Sequence, residues 1–218
     1  MKPTEKRRVI VACMFGLYDD ELRTLIEMEG LDEYLVQIAW LIVREYERGG
    51  PAGVILAGGR TNQAKPELSE AETCAVRLLQ LLNDMSEVPV QELTLLLEDE
   101  SFSTAANLWN STEMISRHLH SHNLSCDVVF VTDKPRVLKV WAMLRWLRKR
   151  FVTDERPFVF SVMGLNRLDE GNVVWIWLKQ IAQAFLYFFS SKAFHNNVVH
   201  KPKWWVLEQL SRSSEINV

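Results

Sequence analysis

Short apolar runs rich in β-branched residues alternate with longer stretches whose apolar positions recur every three or four residues. Arg8–Met14, Gly53–Ala57, Leu93–Leu97, Asp127–Val131 and Pro157–Met163 carry the first pattern and predict buried strands. Leu31–Arg48 carries the second, with apolar residues at Leu31, Leu35, Ile38, Leu41 or Ile42, and Tyr46, and Gly49-Gly50-Pro51 ends it. Ser69, with Glu72 three residues on, predicts a capping box opening a helix to about Asn83. Ser103 or Thr104 would cap a helix to about His120, and Pro135 suits the first turn of one ending near Arg150. An aromatic-rich helix is predicted over Asn172–Ser190, and a short terminal one over Pro202–Ser211. Strands alternating with helices imply right-handed crossovers. The expected fold is therefore an α/β, Rossmann-like three-layer sandwich on a mainly parallel sheet of about five strands, with a helical C-terminal appendage. Residues 1–155 would form the core. Residues 156–218 would add the last strand and the aromatic-rich helices, within one domain.

Three polar loops follow apolar runs directly and lead into helices: Gly58-Gly59-Arg60-Thr61, Glu98-Asp99-Glu100-Ser101, and Thr132-Asp133-Lys134-Pro135-Arg136. In a parallel sheet such loops share the carboxyl edge, where ligands bind. Gly58 and Gly59 allow a tight turn and close backbone approach, but the run lacks both the P-loop and the GxGxxG fingerprint. A plain turn is the alternative. Arg60 and Thr61 add a cation and a hydroxyl. Glu70, in the first turn of its helix, either complements the helix dipole or accepts from a ligand amine or hydroxyl, or acts as a base. Glu98 and Asp99 are candidate proton acceptors or ligands for a divalent cation, which would allow transfer or hydrolysis at phosphate. No metal site is assigned. Ser101, Thr104 and Asn107, at i, i+3 and i+6, project from roughly one helix face, and capping explains only one of them. Arg136 near a helix start would hold phosphate, sulfonate or carboxylate, while Thr132 and Asp133 complete the loop. Asp133 has the alternative role of a salt-bridge partner or cap.

Composition narrows the partners. The chain has 218 residues, 48% hydrophobic and 24% charged, and a net charge of −3, so bulk charge recruits neither nucleic acid nor an anionic membrane. Lys134, Arg136, Lys139, Arg145, Arg148, Lys149 and Arg150 nevertheless form a stretch without an acid. It reads as a local anion-attracting patch or a solvated helix face. Cys13, Cys74 and Cys126 are widely separated, which argues against a disulfide framework and fits reduced thiols in a cytoplasmic protein. Val9–Leu17 reads as a strand rather than a signal peptide, and no run reaches the ~18 apolar residues of a spanning helix. His118, His120 and His122 suit a solvated helix end better than a metal site. Val173–Phe189 is interrupted by polarity only at Lys179, Gln180 and Gln183. It either packs on the sheet or contacts a membrane surface or a second copy, and Trp204-Trp205 beside Lys201 and Lys203 adds to the latter reading.

Taken in order, Ala57-Gly58-Gly59, Ser69-Glu70-Ala71, Glu98-Asp99 with Ser101, Thr104 and Asn107, and Val131-Thr132 resemble the bacterial α/β family typified by YdcF, SanA and ElyC. The resemblance runs from about Arg8 to about Leu147. It implies a Rossmann-like fold with a polar cleft built from those residues. One member of the family is thought to bind S-adenosylmethionine, and others are linked to cell-envelope maintenance. Where the family usually carries a His and then an Arg three residues on, this chain has Arg136 and Lys139. Positive charge survives, but a titratable imidazole base does not. The expectation is a protein binding a small anionic or nucleotide-like ligand, S-adenosylmethionine or a phosphorylated metabolite. The alternative is a non-catalytic envelope factor, peripheral to the inner membrane, acting through its aromatic helix.

Overall fold

A computed structural model of the chain describes residues 7–15, 17–18, 25–50, 53–85, 89–119, 126–152, 158–166 and 173–202. Five strands, β1 (Arg7–Cys13), β2 (Gly53–Ala57), β3 (Leu95–Glu98), β4 (Cys126–Asp133) and β5 (Phe158–Leu165), form one sheet in the order β3-β2-β1-β4-β5. Every pairing is parallel. The chain winds outward from β1 to β3, then crosses back to place β4 on the other side of β1. This is the doubly wound, Rossmann-like order, and its reversal lies between β1 and β4.

The helices are α1 (Leu25–Glu47), α2 (Glu70–Asp84), α3 (Thr104–Leu119), α4 (Val137–Phe151), α5 (Val173–Phe189) and α6 (Ser191–Val198). Alternation along β1 divides the core in two. Val9, Val11 and Cys13 face the cluster built with α3, α4, α5 and α6, while Ile10, Ala12 and Met14 face the one built with α1 and α2. Ile10, Val11, Ala12 and Cys13 have no exposed surface, which explains why the central strand reads as a continuous apolar run. Cys13, Cys74 and Cys126 are buried free thiols.

The pattern placed most boundaries within two residues. Gly53–Ala57 is β2 as expected, and the Ser69/Glu72 capping box opens α2. Gly49 and Gly50 end α1 at φ values of +111° and +86°, where a side chain would be strained. Some elements depart further. α1 begins at Leu25 rather than Leu31, and Val90–Glu92 forms a 3₁₀ turn before β3. Ser190 is not simply the end of the aromatic helix. Its Oγ accepts the Ala193 N–H at 3.1 Å and starts α6, a helix the apolar spacing did not separate. The expected helix over 202–211 lies, apart from Pro202, outside the described residues, as do His120, His122, Trp204 and Trp205.

β5 pairs with β4 from Cys126↔Phe158 to Asp133↔Leu165, so the last strand extends the same sheet. α5 then lies over α4, where Trp141 stacks on Phe188 and Trp146 Nε1 donates to the Tyr187 carbonyl at 2.6 Å. Gln180, Ala184 and Tyr187 form its buried stripe. No helix among the described residues is long and apolar enough to cross a membrane.

Candidate functional site

The carboxyl ends of β1, β2 and β3 are stitched together by backbone hydrogen bonds. Met14 N–H donates to Ala57 O at 2.7 Å, and Gly58 N–H donates to Glu98 O at 2.9 Å. Tyr34 Oη lies 3.0 Å from Cys13 O and 3.4 Å from Val131 O, tying the two strands at the point where the winding reverses. Gly59 is pressed against the loop after β3: a Cβ there would lie 1.8 Å from Ser101 O. Its role is close backbone approach rather than unusual dihedral angles.

The carbonyls of Gly58 and Gly59 accept the N–H groups of Ala71 and Glu70, and Ser69 Oγ accepts that of Glu72. The start of α2 is therefore satisfied within the protein, and its donors are committed. Above this floor lies a cleft of about 390 Å³. Its lining includes Met14 and Phe15 after β1; Gly59, Thr61 and Glu70 after β2; Ser101, Phe102, Ser103, Thr104 and Asn107 after β3; and Arg136 and Lys139 after β4. Lys179, Gln180 and Gln183 of α5 form the opposing wall. Residues far apart in the chain thus meet at the switch point, where doubly wound proteins bind ligands.

Charge in this cleft is lopsided. Its lining holds three cations, Arg136, Lys139 and Lys179, and one carboxylate, Glu70. Arg136 is held in place by an ion pair with the fully buried Asp133 and by stacking on Phe15 at 4.1 Å. Lys139 is only 7% exposed. Burial, reinforced by the Arg136 charge, lowers its ammonium to about 8, against the opposing pull of Asp133. Glu70 Oε1 accepts the Thr61 hydroxyl at 2.5 Å. Gln180 is 5% exposed, and its Oε1 has no hydrogen-bond partner among the described residues. Cys13, beneath the cleft, is pushed up to about 12 by burial and then by the Glu98 and Asp133 carboxylates, so it is an inert thiol.

The acids after β3 separate. Glu98 is buried and accepts from Ser101 Oγ at 2.6 Å, Asn110 Nδ2 at 3.0 Å and the Glu100 N–H at 3.3 Å. Burial raises its carboxyl above the ordinary value, and those hydrogen bonds oppose the rise. It braces the loop from outside the cleft lining. Asp99 turns to Arg60 at 3.2 Å, and both border a neighbouring depression of about 280 Å³ with Asn110 and His200. Glu98 and Asp99 therefore do not converge on one point, and no group of three metal-ligating acids, His or Cys occurs among the described residues. Gly58, Thr132 and Asp133 are buried at the strand ends, while Gly59, Thr61, Glu70, Ser101, Thr104, Asn107 and Arg136 reach the cleft. Asn107 also donates to Ala57 O at 3.1 Å.

Met14, Phe15, Phe102, Ser103 and the α5 wall carried no site role in the sequence, whereas Lys139 was marked there only by the family resemblance, as the cation three residues after Arg136. A signal for α5 existed: Lys179, Gln180 and Gln183, the only polar breaks in an apolar helix, share one side at i, i+1 and i+4. Fold and cleft together define an α/β protein of the doubly wound, Rossmann-like class. No family model, curated protein or solved structure matches the chain.

Proposed function

We propose that this is a ligand-binding protein of the YdcF, SanA and ElyC type whose cleft takes a small phosphorylated metabolite, a sugar phosphate or nucleotide, by its anionic end. The observation that carries the reading is the convergence of Arg136, Lys139 and Lys179 on a 390 Å³ cleft against a single carboxylate. The Asp133 carboxylate that acts on Lys139 is already ion-paired with Arg136, so a cation as buried as Lys139 gains from the further negative charge of a bound dianion. S-adenosylmethionine brings a sulfonium into the same positive field and is the weaker candidate. Because Glu98 and Asp99 are committed to the loop and to Arg60, the reading is one of binding, with Arg136 and the lysines as anchors.

A thermal-shift panel tests it. Ribose 5-phosphate or a nucleoside monophosphate at a hundredfold excess over its Kd should stabilise the protein by roughly 2.7 kcal/mol. Arg136→Ala and Lys139→Met should each abolish the shift. Stabilisation by S-adenosylmethionine alone, or a shift unchanged in both variants, rejects the reading.

A second reading rests on the outer face of α5. Val174, Trp175, Phe185 and Phe189 are 61–75% exposed and continue onto Trp141 and Leu138 of α4. Large exposed apolar patches mark interaction surfaces. This reading assigns the face to a membrane surface. Flotation with liposomes tests it, and a stable dimer in sedimentation would assign the face to a second copy instead.

A further inference from the structure

We propose that the outer face of α4 and α5 docks on an anionic phospholipid surface, with Arg145 and Lys149 taking the headgroup charge and the aromatic side chains of α5 entering the apolar boundary beneath it. The proposal rests on the membrane reading of this face and goes beyond it in naming the lipid class and the residues that select it. Two stripes define the face. On α5, Trp175, Leu178, Phe185 and Phe189 recur at i, i+3, i+10 and i+14 and are 54–75% exposed. The buried stripe on the other side contains Gln180, so solvent meets the more apolar side of α5, the reverse of an ordinary surface helix. On α4, Leu138, Trp141, Arg145 and Lys149 fall at i, i+3, i+7 and i+11 and are all exposed. Leu138 and Trp141 line, with Phe185, Phe188 and Phe189, an apolar groove of about 230 Å³. The Arg145 guanidinium lies 4.9 Å from the Phe188 ring, and the Lys149 ammonium 4.7 Å from the Trp146 ring. The α4 stripe thus passes from apolar groove to cationic rim along one helix face.

Charge decides what covers the face. α4 carries five Lys or Arg, α5 and α6 one each, and none of the three carries an Asp or Glu. A chain of net charge −3 thus keeps these three helices free of acids. A two-fold contact with a second copy would be self-complementary and would bring like charges into one interface, with no acid from these helices to pair them. An anionic lipid surface supplies the counter-charge and takes up the aromatic side chains in the same contact. Long basic side chains suit that boundary, the apolar stem lying with the rings and the charge among the headgroups. α5 has 17 residues with Lys179 near its middle, short of the ~20 apolar residues needed to cross, so it fits a helix lying in the interface.

Flotation of the full chain with vesicles of phosphatidylcholine alone, and of phosphatidylcholine mixed with phosphatidylglycerol, tests the proposal. Binding to the mixed vesicles should be at least about tenfold tighter and should weaken as salt is raised. Each cation near an anionic surface contributes roughly fivefold in affinity, so the Arg145→Gln, Lys149→Gln double variant should lose at least about tenfold on mixed vesicles and nothing on phosphatidylcholine. Both residues are exposed, so the variant should keep the wild-type melting temperature. Equal binding of the wild type to the two vesicle types, or a double variant that binds mixed vesicles like the wild type, overturns the lipid selection and leaves the membrane reading standing. Loss of mixed-vesicle binding in Lys139→Met instead moves the anion to the cleft and overturns the proposal. No binding to either vesicle type, or a stable dimer in sedimentation that Phe185→Gln with Phe189→Gln dissociates, overturns the membrane reading and this proposal with it.

Discussion

Gly59 and Ser101, from adjacent strand-end loops, are packed backbone to backbone, with the Ser101 carbonyl occupying the place of a Gly59 side chain. A Cβ at 1.8 Å from that oxygen, and 2.7 Å from the carbonyl carbon, cannot be relieved by rotating a flexible side chain. Gly59→Ala must therefore push the loop after β3 away from the sheet. The expected cost is about 1–3 kcal/mol of stability, with weaker ligand binding because Ser101, Thr104 and Asn107 move together. Chemical denaturation and calorimetry check this; wild-type stability and affinity in the variant would contradict it.

Lys139 makes stability depend on pH. Its value in the fold is about 8, against 10.5 for the free side chain, so burial disfavours the ammonium. Between those values the unfolded chain binds the proton and the folded one does not, and stability rises as pH rises through the window. Below pH 8 both states are protonated and the full penalty, on the order of 3 kcal/mol, is present. Lys139→Met should therefore stabilise the ligand-free protein at pH 7 and flatten this rise, measured as the difference between wild type and variant from pH 7 to 10.5. A variant less stable than wild type at pH 7 would show that Lys139 has a compensating partner.

The two acids after β3 should behave differently. Glu98→Ala removes the acceptor of the buried Ser101 hydroxyl and of the Glu100 N–H, while Asn110 keeps its 3.2 Å bond to Ser101 Oγ; it should cost about 1–3 kcal/mol and disorder the cleft edge. Asp99→Asn breaks one ion pair whose side chains are each about a third exposed, and should cost less than ~1 kcal/mol with ligand binding intact. Equal effects in urea denaturation and in binding would contradict the division between brace and bystander.

The outer face of α5 should be separable from the cleft. Phe185 and Phe189 are 61% and 75% exposed, so replacing both with Gln should change stability by less than ~0.5 kcal/mol each. On the membrane reading the double variant stops floating with liposomes while phosphate binding persists. Flotation equal to wild type removes that reading.

What the sequence discloses of this site is tied to local chemistry. β2 was legible because Gly53–Ala57 is apolar throughout and bounded by glycines, and α2 because Ser69 and Glu72 cap each other. Thr104 and Asn107 were legible because i, i+3 spacing on a helix is itself a spatial statement; Ser101 lies three residues ahead of α3, so it reaches the cleft from the loop after β3 and not from a helix face. Arg60 and Asp99 look like site residues in the same loops, but their mutual attraction turns both toward a neighbouring depression, and loop direction is not written in spacing. The burial of Lys139 and the inward aim of Lys179, Gln180 and Gln183 depend on how α5 crosses α4, a long-range contact with no local signature. Trp175, Trp177, Phe185 and Phe189 make the aromatic face of α5 an exposed one, while its few polar residues line the cleft.

We propose that the switch-point cleft holds a phosphate through Lys139 and Lys179 beside Arg136. Titration of ribose 5-phosphate into wild type and into the Lys139→Met, Lys179→Met double variant at pH 7 tests it most directly. The wild type should show saturable one-to-one binding, and the folded double variant should lose at least about a hundredfold in affinity, roughly 2.7 kcal/mol. Undiminished binding in that variant, or none in the wild type, would contradict it.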